Sequence, residues 1–296
     1  MLLRTAAKLA KLGLARAGCQ SLYTATSQGG VHYFDGKGRG QLPPIVLVHG
    51  LGSNATSCFQ LINLLLPYTR RVIALDLIGH GLSDLATSEL DYQTVLHTAN
   101  EALSSILDEP AVIFGNSLGG AVALQFAVTH PELTAGLVLT SPAGAPFSAS
   151  ELAEIREAFN LNSSSKAMKF LGRVFHRTPW LSRLMARELC EIYQAADIQN
   201  ILGSLQPGEL VDTVPFANLL KPILLMWGKS DRILPSKHLN YFRDLLPSHL
   251  IVEEPEALGH SPHIERPGVV ASRMLTFIRD QCHGQGIPTP ASREQT

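Results

Sequence analysis

The feature that most constrains this chain is a rhythm. Short, continuously apolar runs rich in Val, Ile and Leu alternate with amphipathic stretches of helical spacing. The runs are "PIVLVHG" from Pro44, "RVIALD" from Arg71, "PAVIFG" from Pro110, "AGLVLT" from Ala135, "KPILLMWG" from Lys221 and "LIVEE" from Leu250. A further strand candidate at 31–34 precedes the turn "DGKGRG". Apolar residues at every position, rather than every second one, suit strands covered on both faces of a parallel sheet. Helical windows lie at 56–66, 92–107, 118–129, 237–246 and 269–281. Such alternation predicts an α/β fold, a mostly parallel sheet flanked by helices.

One gap breaks the rhythm. Between 146 and 218 there is no convincing strand, only the helical stretches "SELAEIREAF", "SKAMKFLGRVF" and "ELCEIYQAADIQNIL". The expected organisation is therefore a core over 30–145 and 219–282, an inserted helical cap over 146–218, and a disordered tail over 283–296, which is polar and rich in Pro and Gly.

Residues 1–25 form a fourth segment. It holds no acidic residue, and none occurs before Asp35. At about 100° per residue, Arg4, Lys8 and Lys11 share one face, and Leu2, Leu3, Ala6, Leu9 and Ala10 share another. Such a basic amphipathic helix fits peripheral contact with a membrane surface, packing on the body, or, in a eukaryote, a mitochondrial transit segment. Arg16, three residues before Cys19, argues against a lipoprotein cleavage site. No apolar run approaches the roughly 18 to 20 residues that a membrane-spanning helix requires.

The four cysteines (Cys19, Cys58, Cys190, Cys282) have no metal-ligand or CxxC spacing, so scattered reduced thiols in a reducing compartment are expected. A cytoplasmic protein, with peripheral membrane contact through residues 1–25, is the expected placement. The net charge of −1 and the dispersed Lys and Arg give no footprint for nucleic acid.

Sheets of this kind bind ligands beyond the carboxyl ends of their strands. There "FGNSLGG" places Gly115, Ser117 and Gly119 as G-x-S-x-G between an apolar strand and an apolar helix, the setting of a nucleophile elbow. A serine hydroxyl needs a base, and the base an orienting acid, expected downstream in the order acid then His. "WGKSD" supplies Asp231 after one strand, and "GHSPHIERP" supplies His260 after the next. The rival carboxylates Glu151, Glu154 and Asp197 fall on cap helices. The strand after the elbow runs into "TSPAGAP", which has no acid. Of the eleven histidines, His263 is the main rival to His260; Gly259 before His260 suits a tight loop. His49 precedes the serine and is expected to shape a loop. Backbone N–H groups are needed to stabilise an oxyanion. Leu118 after the serine supplies one, and Leu51 in "HGLGS", between Gly50 and Gly52, the other.

"HGLGS", "DLIGHGLSD", "GNSLGG", "WGKSD" and "GHSPHIERP", in this order and spacing, resemble the α/β-hydrolase fold superfamily over about residues 30–281. The resemblance implies an eight-stranded sheet, a Ser117–His260–Asp231 triad with Leu51 and Leu118 as oxyanion donors, a cap over the pocket, and a structural role for Asp76 and His80. Ser117 excludes the branches that use an aspartate nucleophile. Leu51 and Leu118 fit cofactor-free haloperoxidases poorly. Asn116 is shared with the meta-cleavage carbon–carbon hydrolases, but that branch usually follows its histidine with Trp, where this chain has Ser261, and holds its acidic dienoate with a cap arginine. None of Arg173, Arg177, Arg183 and Arg187 is assigned to the pocket by sequence.

The chain is thus similar to bacterial esterases and monoacylglycerol lipases, and the expected partner is a small acyl ester of medium or long chain. Phe147, Met168, Phe170, Leu171, Phe175, Trp180, Leu181 and Met185 are the cap residues available to an acyl chain. Cleavage through an acyl-enzyme requires no metal or organic cofactor. The alternatives are a carbon–carbon hydrolase and a catalytically silent binding module on the same fold.

Overall fold

In the computed structural model, residues 2–86, 89–208 and 214–282 are described. Helix α1 (Leu2–Arg16) leads into strands β1 (Cys19–Thr26), β2 (Gly29–Lys37) and β3 (Ile45–Val48). Then come α2 (Phe59–Leu65), β4 (Arg71–Leu75), α3 (Tyr92–Ile106), β5 (Ala111–Asn116), α4 (Leu118–Thr129) and β6 (Thr134–Thr140). Helices α5 (Ala149–Phe159), α6 (Ser164–Val174), α7 (Ser182–Tyr193) and α8 (Ala196–Ser204) follow without a strand. The chain returns through β7 (Ile223–Met226), α9 (Lys237–Leu245), β8 (Ile251–Glu253), α10 (Pro262–Glu265) and α11 (Pro267–Phe277).

The sheet has eight strands in the order β1-β2-β4-β3-β5-β6-β7-β8. β2 pairs antiparallel with β1 and β4, and every other pairing is parallel. The continuously apolar runs have a direct cause in this arrangement. Val46 and Val48 of β3 face one core with Ile113, Leu137 and helices α3 and α4, while Ile45 and Leu47 face a second core with Phe114, Val138, α2 and α11. Both faces are covered, so the middles of these strands carry apolar side chains. The chain leaves β3 toward β4 on one side and then crosses to β5 on the other. This strand-order switch lies at the carboxyl ends that carry "HGLGS" and "GNSLGG".

The N-terminal segment differs from expectation. Residues 1–25 are not one amphipathic unit: α1 ends at Arg16, and Cys19 already begins the sheet, so the sheet starts well before residue 30. β1 is an edge strand whose residues alternate between more and less exposed, and Gln20, Ser21, Tyr23 and Ala25 point to solvent. It therefore lacks the apolar run that marks the buried strands. The faces of α1 also differ. Its inward stripe is Leu3, Ala7, Ala10 and Leu14, whereas Leu9 is 63 % and Leu12 56 % exposed.

Between β6 and β7 the helices α5 to α8 stand over the strand ends. Ser148 and Glu151 cap α5 reciprocally, and Ser163 caps α6. Residues 209–213, in the range expected for the cap, and the tail 283–296 lie outside the described residues.

Candidate active site

The site begins with the strained residue between β5 and α4. Ser117 has φ 54° and ψ −118°, a conformation costly for any residue with a side chain. Surrounding packing sustains it. Its N–H donates to the Thr140 carbonyl of β6 (3.1 Å), and its carbonyl accepts from Gly120 and Ala143. Gly115 and Gly119 allow the approach: a Cβ on Gly115 would sit 2.2 Å from the Gly119 oxygen, and one on Gly119 2.2 Å from the Val48 oxygen.

Asp231 and His260 come together from the loops after β7 and β8. His260 Nδ1 is 2.8 Å from Asp231 Oδ2. The other carboxylate oxygen accepts from the Ile233 and Leu234 N–H groups. Burial raises the Asp231 pKa, but the His260 charge and hydrogen bond, with the Ile233 N–H, outweigh it and hold the carboxyl below its ordinary range. An ionised Asp231 keeps the proton on Nδ1 and leaves Nε2 as the basic nitrogen. Ser117 and His260 line one cavity of about 420 Å³.

Helix α6 is tied to both loops. The His260 N–H donates to the Val174 carbonyl at the end of α6 (2.7 Å), and the Arg232 N–H to the Arg173 carbonyl (3.2 Å). The terminal carbonyls of α6, unpaired within the helix, thus fix the two loops relative to α6. Asn116 is a second tie. Its buried Nδ2 donates to the His260 carbonyl (2.8 Å) and to the Thr140 carbonyl (3.0 Å) and hydroxyl, joining the elbow to β6 and to the histidine loop.

The "HGLGS" loop packs directly on the serine. A Cβ on Gly50 would lie 3.2 Å from Ser117 Cβ, and Gly52, at φ 70°, lies against the Tyr193 ring. His49 is a neutral brace in this loop. Its Nε2 accepts from the Leu77 N–H (3.1 Å), so Nδ1 donates to the Gly50 carbonyl (2.8 Å), and burial lowers its pKa. Leu51 lines the cavity. The Leu118 side chain is buried in the core, and its N–H belongs to the first turn of α4, where such groups have no acceptor within the helix. A residue that sequence reasoning missed is Tyr193, at the end of α7. Its hydroxyl donates to the Leu51 carbonyl (3.0 Å), so α7 orients the peptide next to the proposed oxyanion donor. An aromatic residue among helical neighbours carries no signal of that distant contact.

His263 also lines the cavity, but burial pushes its pKa down to about 3, and its ring rests edge-on against Phe114. Glu151 serves the α5 cap and pairs with Lys237. Asp76 and His80 brace loops: Asp76 accepts from His32 Nδ1 and from the Ala55 and Leu82 N–H groups, and His80 Nδ1 donates to the Ile78 carbonyl. Of the cap residues expected in the pocket, Phe170, Leu171, Phe175 and Met185 line it. Phe147 and Met168 pack on the core, Trp180 is 89 % exposed, and neither it nor Leu181 lines the cavity. Arg173, Arg177, Arg183 and Arg187 are all exposed, and none lines the cavity. Among the described residues no His, Cys, Asp and Glu cluster is arranged to hold a metal ion.

Residues 45–273 match the Alpha/beta hydrolase family. The chain belongs to this family. It is 28 % identical over 251 residues to an uncharacterised protein of Mycobacterium tuberculosis, covering 77 % of this chain and 73 % of that one. It is also 28 % identical over 278 residues to a pimeloyl-[acyl-carrier protein] methyl ester esterase of Neisseria meningitidis serogroup A, covering 85 % of this chain and 86 % of the relative. Among solved structures it resembles a membrane phospholipase A described as a bacterial virulence factor, with a TM-score of 0.77 and 25 % identity over 94 % of this chain and 91 % of that one.

Proposed function

We propose that the protein is a serine hydrolase of carboxylic esters with medium or long acyl chains, working through an acyl-enzyme. The observation that carries this reading is the cavity wall. Beside Ser117 and His260 it contains no Lys, Arg, Asp or Glu side chain among the described residues, and its cap side is built of Phe159, Phe170, Leu171, Val174 and Phe175. A neutral ester with a hydrocarbon chain suits such a wall. An acidic dienoate does not, since its carboxylate would be desolvated without a cation. Ser261 next to His260 points the same way. The esterase relative and the phospholipase-like structure support the ester class.

In the mechanism, His260 Nε2 takes the Ser117 proton as Oγ attacks the ester carbonyl. The Leu51 and Leu118 N–H groups receive the oxyanion, and the alcohol leaves with the proton from His260. Water, deprotonated by His260, then attacks the acyl-enzyme; the acid departs and Ser117 regains its proton. Each oxyanion donor is worth about 3 kcal/mol of barrier. Labelling by a fluorophosphonate, mapped by mass spectrometry, tests the nucleophile. Turnover of p-nitrophenyl esters of rising chain length against a dienoate tests the reaction class. Absence of label on Ser117 in folded protein would sink the acyl-enzyme, and a preference for the dienoate would favour carbon–carbon hydrolysis.

Peripheral membrane contact is proposed as well, on the exposed Leu9 and Leu12 of α1 beside Lys8 and Arg16. No described helix is long and apolar enough to cross a membrane. Flotation with vesicles of anionic and of neutral lipid tests this: Leu9→Glu with Leu12→Glu is expected to reduce flotation, and equal flotation of variant and parent counts against it.

A further inference from the structure

Helix α1 precedes the region that matches the family, which begins at residue 45, yet it forms part of the pocket. Leu3, Ala6, Ala7 and Ala10 line the cavity that holds Ser117 and His260. With the pocket read as that of an ester hydrolase, we propose that α1 is its side wall and sets the length of hydrocarbon chain that the ester can carry.

The helix is held at both ends and thin in the middle. At its start, the Leu3 and Arg4 N–H groups donate to the carboxylate of Glu188 on α7 (3.1 and 2.9 Å), and Arg4 pairs with Glu191 one turn further along α7 (2.7 Å). Glu188, itself buried, thereby caps the start of α1 from another helix. Toward its other end Gly13 rests on the Phe59 ring, where a Cβ would come within 2.5 Å, and Leu14 is fully buried. Phe59 lines the cavity too. Between these anchors the inward positions are alanines. They are the smallest side chains that keep a helix intact, and here they leave the space that a Leu would fill.

A second observation indicates that this space receives a ligand. His263 is 2 % exposed and lines the cavity, and neither ring nitrogen has a partner among the described residues. A buried imidazole in this state is costly unless a polar group enters the pocket, as the oxygen atoms of an ester do. The Ala7 and Ala10 side accommodates the hydrocarbon and the histidine side the polar centre. Whereas the family region supplies the proposed catalytic groups, α1 tunes what reaches them.

The test uses the full chain with Ala7→Leu, Ala10→Leu and Leu3→Ala. Ala15→Leu, on the exposed face of the same helix, is the control. Two readouts are taken: the ratio of kcat/KM for p-nitrophenyl dodecanoate to that for the butanoate, and the Kd of dodecanoate by calorimetry. Ala7→Leu and Ala10→Leu are expected to lower the ratio at least fivefold and to raise the Kd at least fivefold. Leu3→Ala should shift the ratio the opposite way, and Ala15→Leu should leave both unchanged. A ratio and Kd within twofold of the parent in folded Ala7→Leu and Ala10→Leu overturn the proposal. If those two do not fold, an unchanged Leu3→Ala does so. Should the parent cleave neither ester, the ester reading fails and the dodecanoate Kd alone decides the role of α1; a parent that does not bind dodecanoate overturns that role as well.

Discussion

Two constellations in this molecule combine a serine with a histidine backed by a buried aspartate, and by interatomic distance alone the one away from the cavity looks better. On the outer strand β1, Ser21 Oγ lies 2.7 Å from His32 Nε2, and His32 Nδ1 lies 2.8 Å from Asp76 Oδ2. At the strand ends, His260 Nδ1 lies 2.8 Å from Asp231 Oδ2, but no hydrogen bond joins Ser117 to His260 among the described residues. The differences lie in everything else. Ser21 sits in regular sheet, paired opposite Phe34, and is exposed. Ser117 is strained, lines a cavity, starts a helix and has the "HGLGS" loop packed against it. Ser21 and His32 form a closed, satisfied network that holds β1 and β2 to the Asp76 loop. A nucleophile must instead face a space where a carbonyl can sit, beside donors for the charge that develops there.

The largest expected effect is therefore confined to one of the two. Ser117→Ala should lower kcat/KM by about 10⁴-fold or more with the fold intact, as loss of a triad nucleophile does. Steady-state turnover with a circular dichroism melt checks it, and a loss under tenfold would mean that Ser117 is not the nucleophile. Asp231→Asn comes next, with kcat expected down about 10³- to 10⁴-fold through the wrong His260 tautomer while KM changes little. Pre-steady-state kinetics separate acylation from binding. A parallel rise in KM would assign Asp231 to shaping the pocket.

The parallel sheet was legible in the sequence because burial on both faces forbids polar residues, so "PIVLVHG" and "PAVIFG" announce themselves. β1 was not, because an edge strand with Gln20, Ser21 and Tyr23 pointing outward reads like a loop. Ser117, Asp231 and His260 were legible as chemistry-bearing types at strand ends in a required order. Tyr193 and the α1 wall were not, since each depends on a contact across more than a hundred residues of chain, and neither Tyr nor Ala marks such a contact locally. Asn116 was legible as a marker of a branch, but its hydrogen bonds give it a physical role that any member with this loop arrangement can use.

Asp76 belongs to the other constellation, and its loss should register in stability. Asp76→Ala leaves His32 and the Ala55 and Leu82 N–H groups without their acceptor, at about 3 kcal/mol, read from urea unfolding. The pH sign follows from the Asp76 pKa. Burial raises it, but the His32 hydrogen bond and the Ala55 and Leu82 N–H groups prevail and lower it. Its stabilisation is therefore fully present above the unfolded carboxylate pKa of about 3.9 and fades as pH falls through the lower folded value. The gap between parent and variant should be constant from pH 5 to 7 and shrink below about 4. A gap that widened in acid would contradict the assignment. Tyr193→Phe probes the oxyanion loop and should lower kcat about fivefold, with KM within twofold, the pattern of a donor held less firmly when charge develops. A change in KM alone would mean that the hydroxyl only shapes the wall.

The smallest effect is expected where the geometry is most tempting. Ser21→Ala removes one hydroxyl from the network; the fully buried His32 keeps its bond to Asp76, and Ser21 is itself exposed, so water can take the place of the lost hydroxyl. Destabilisation should stay near 1 kcal/mol or less, turnover should remain within twofold of the parent, and the fluorophosphonate should label parent and variant to the same extent. The sharper form of the experiment is done in the Ser117→Ala background. There any residual label has only other serines to go to, and peptide mapping reads Ser21 directly. A stoichiometric adduct on Ser21 would mean that a hydrogen-bonded Ser–His–Asp chain suffices without a cavity or an oxyanion site. Its absence would leave strain, space and waiting N–H groups as what separates a nucleophile from a brace.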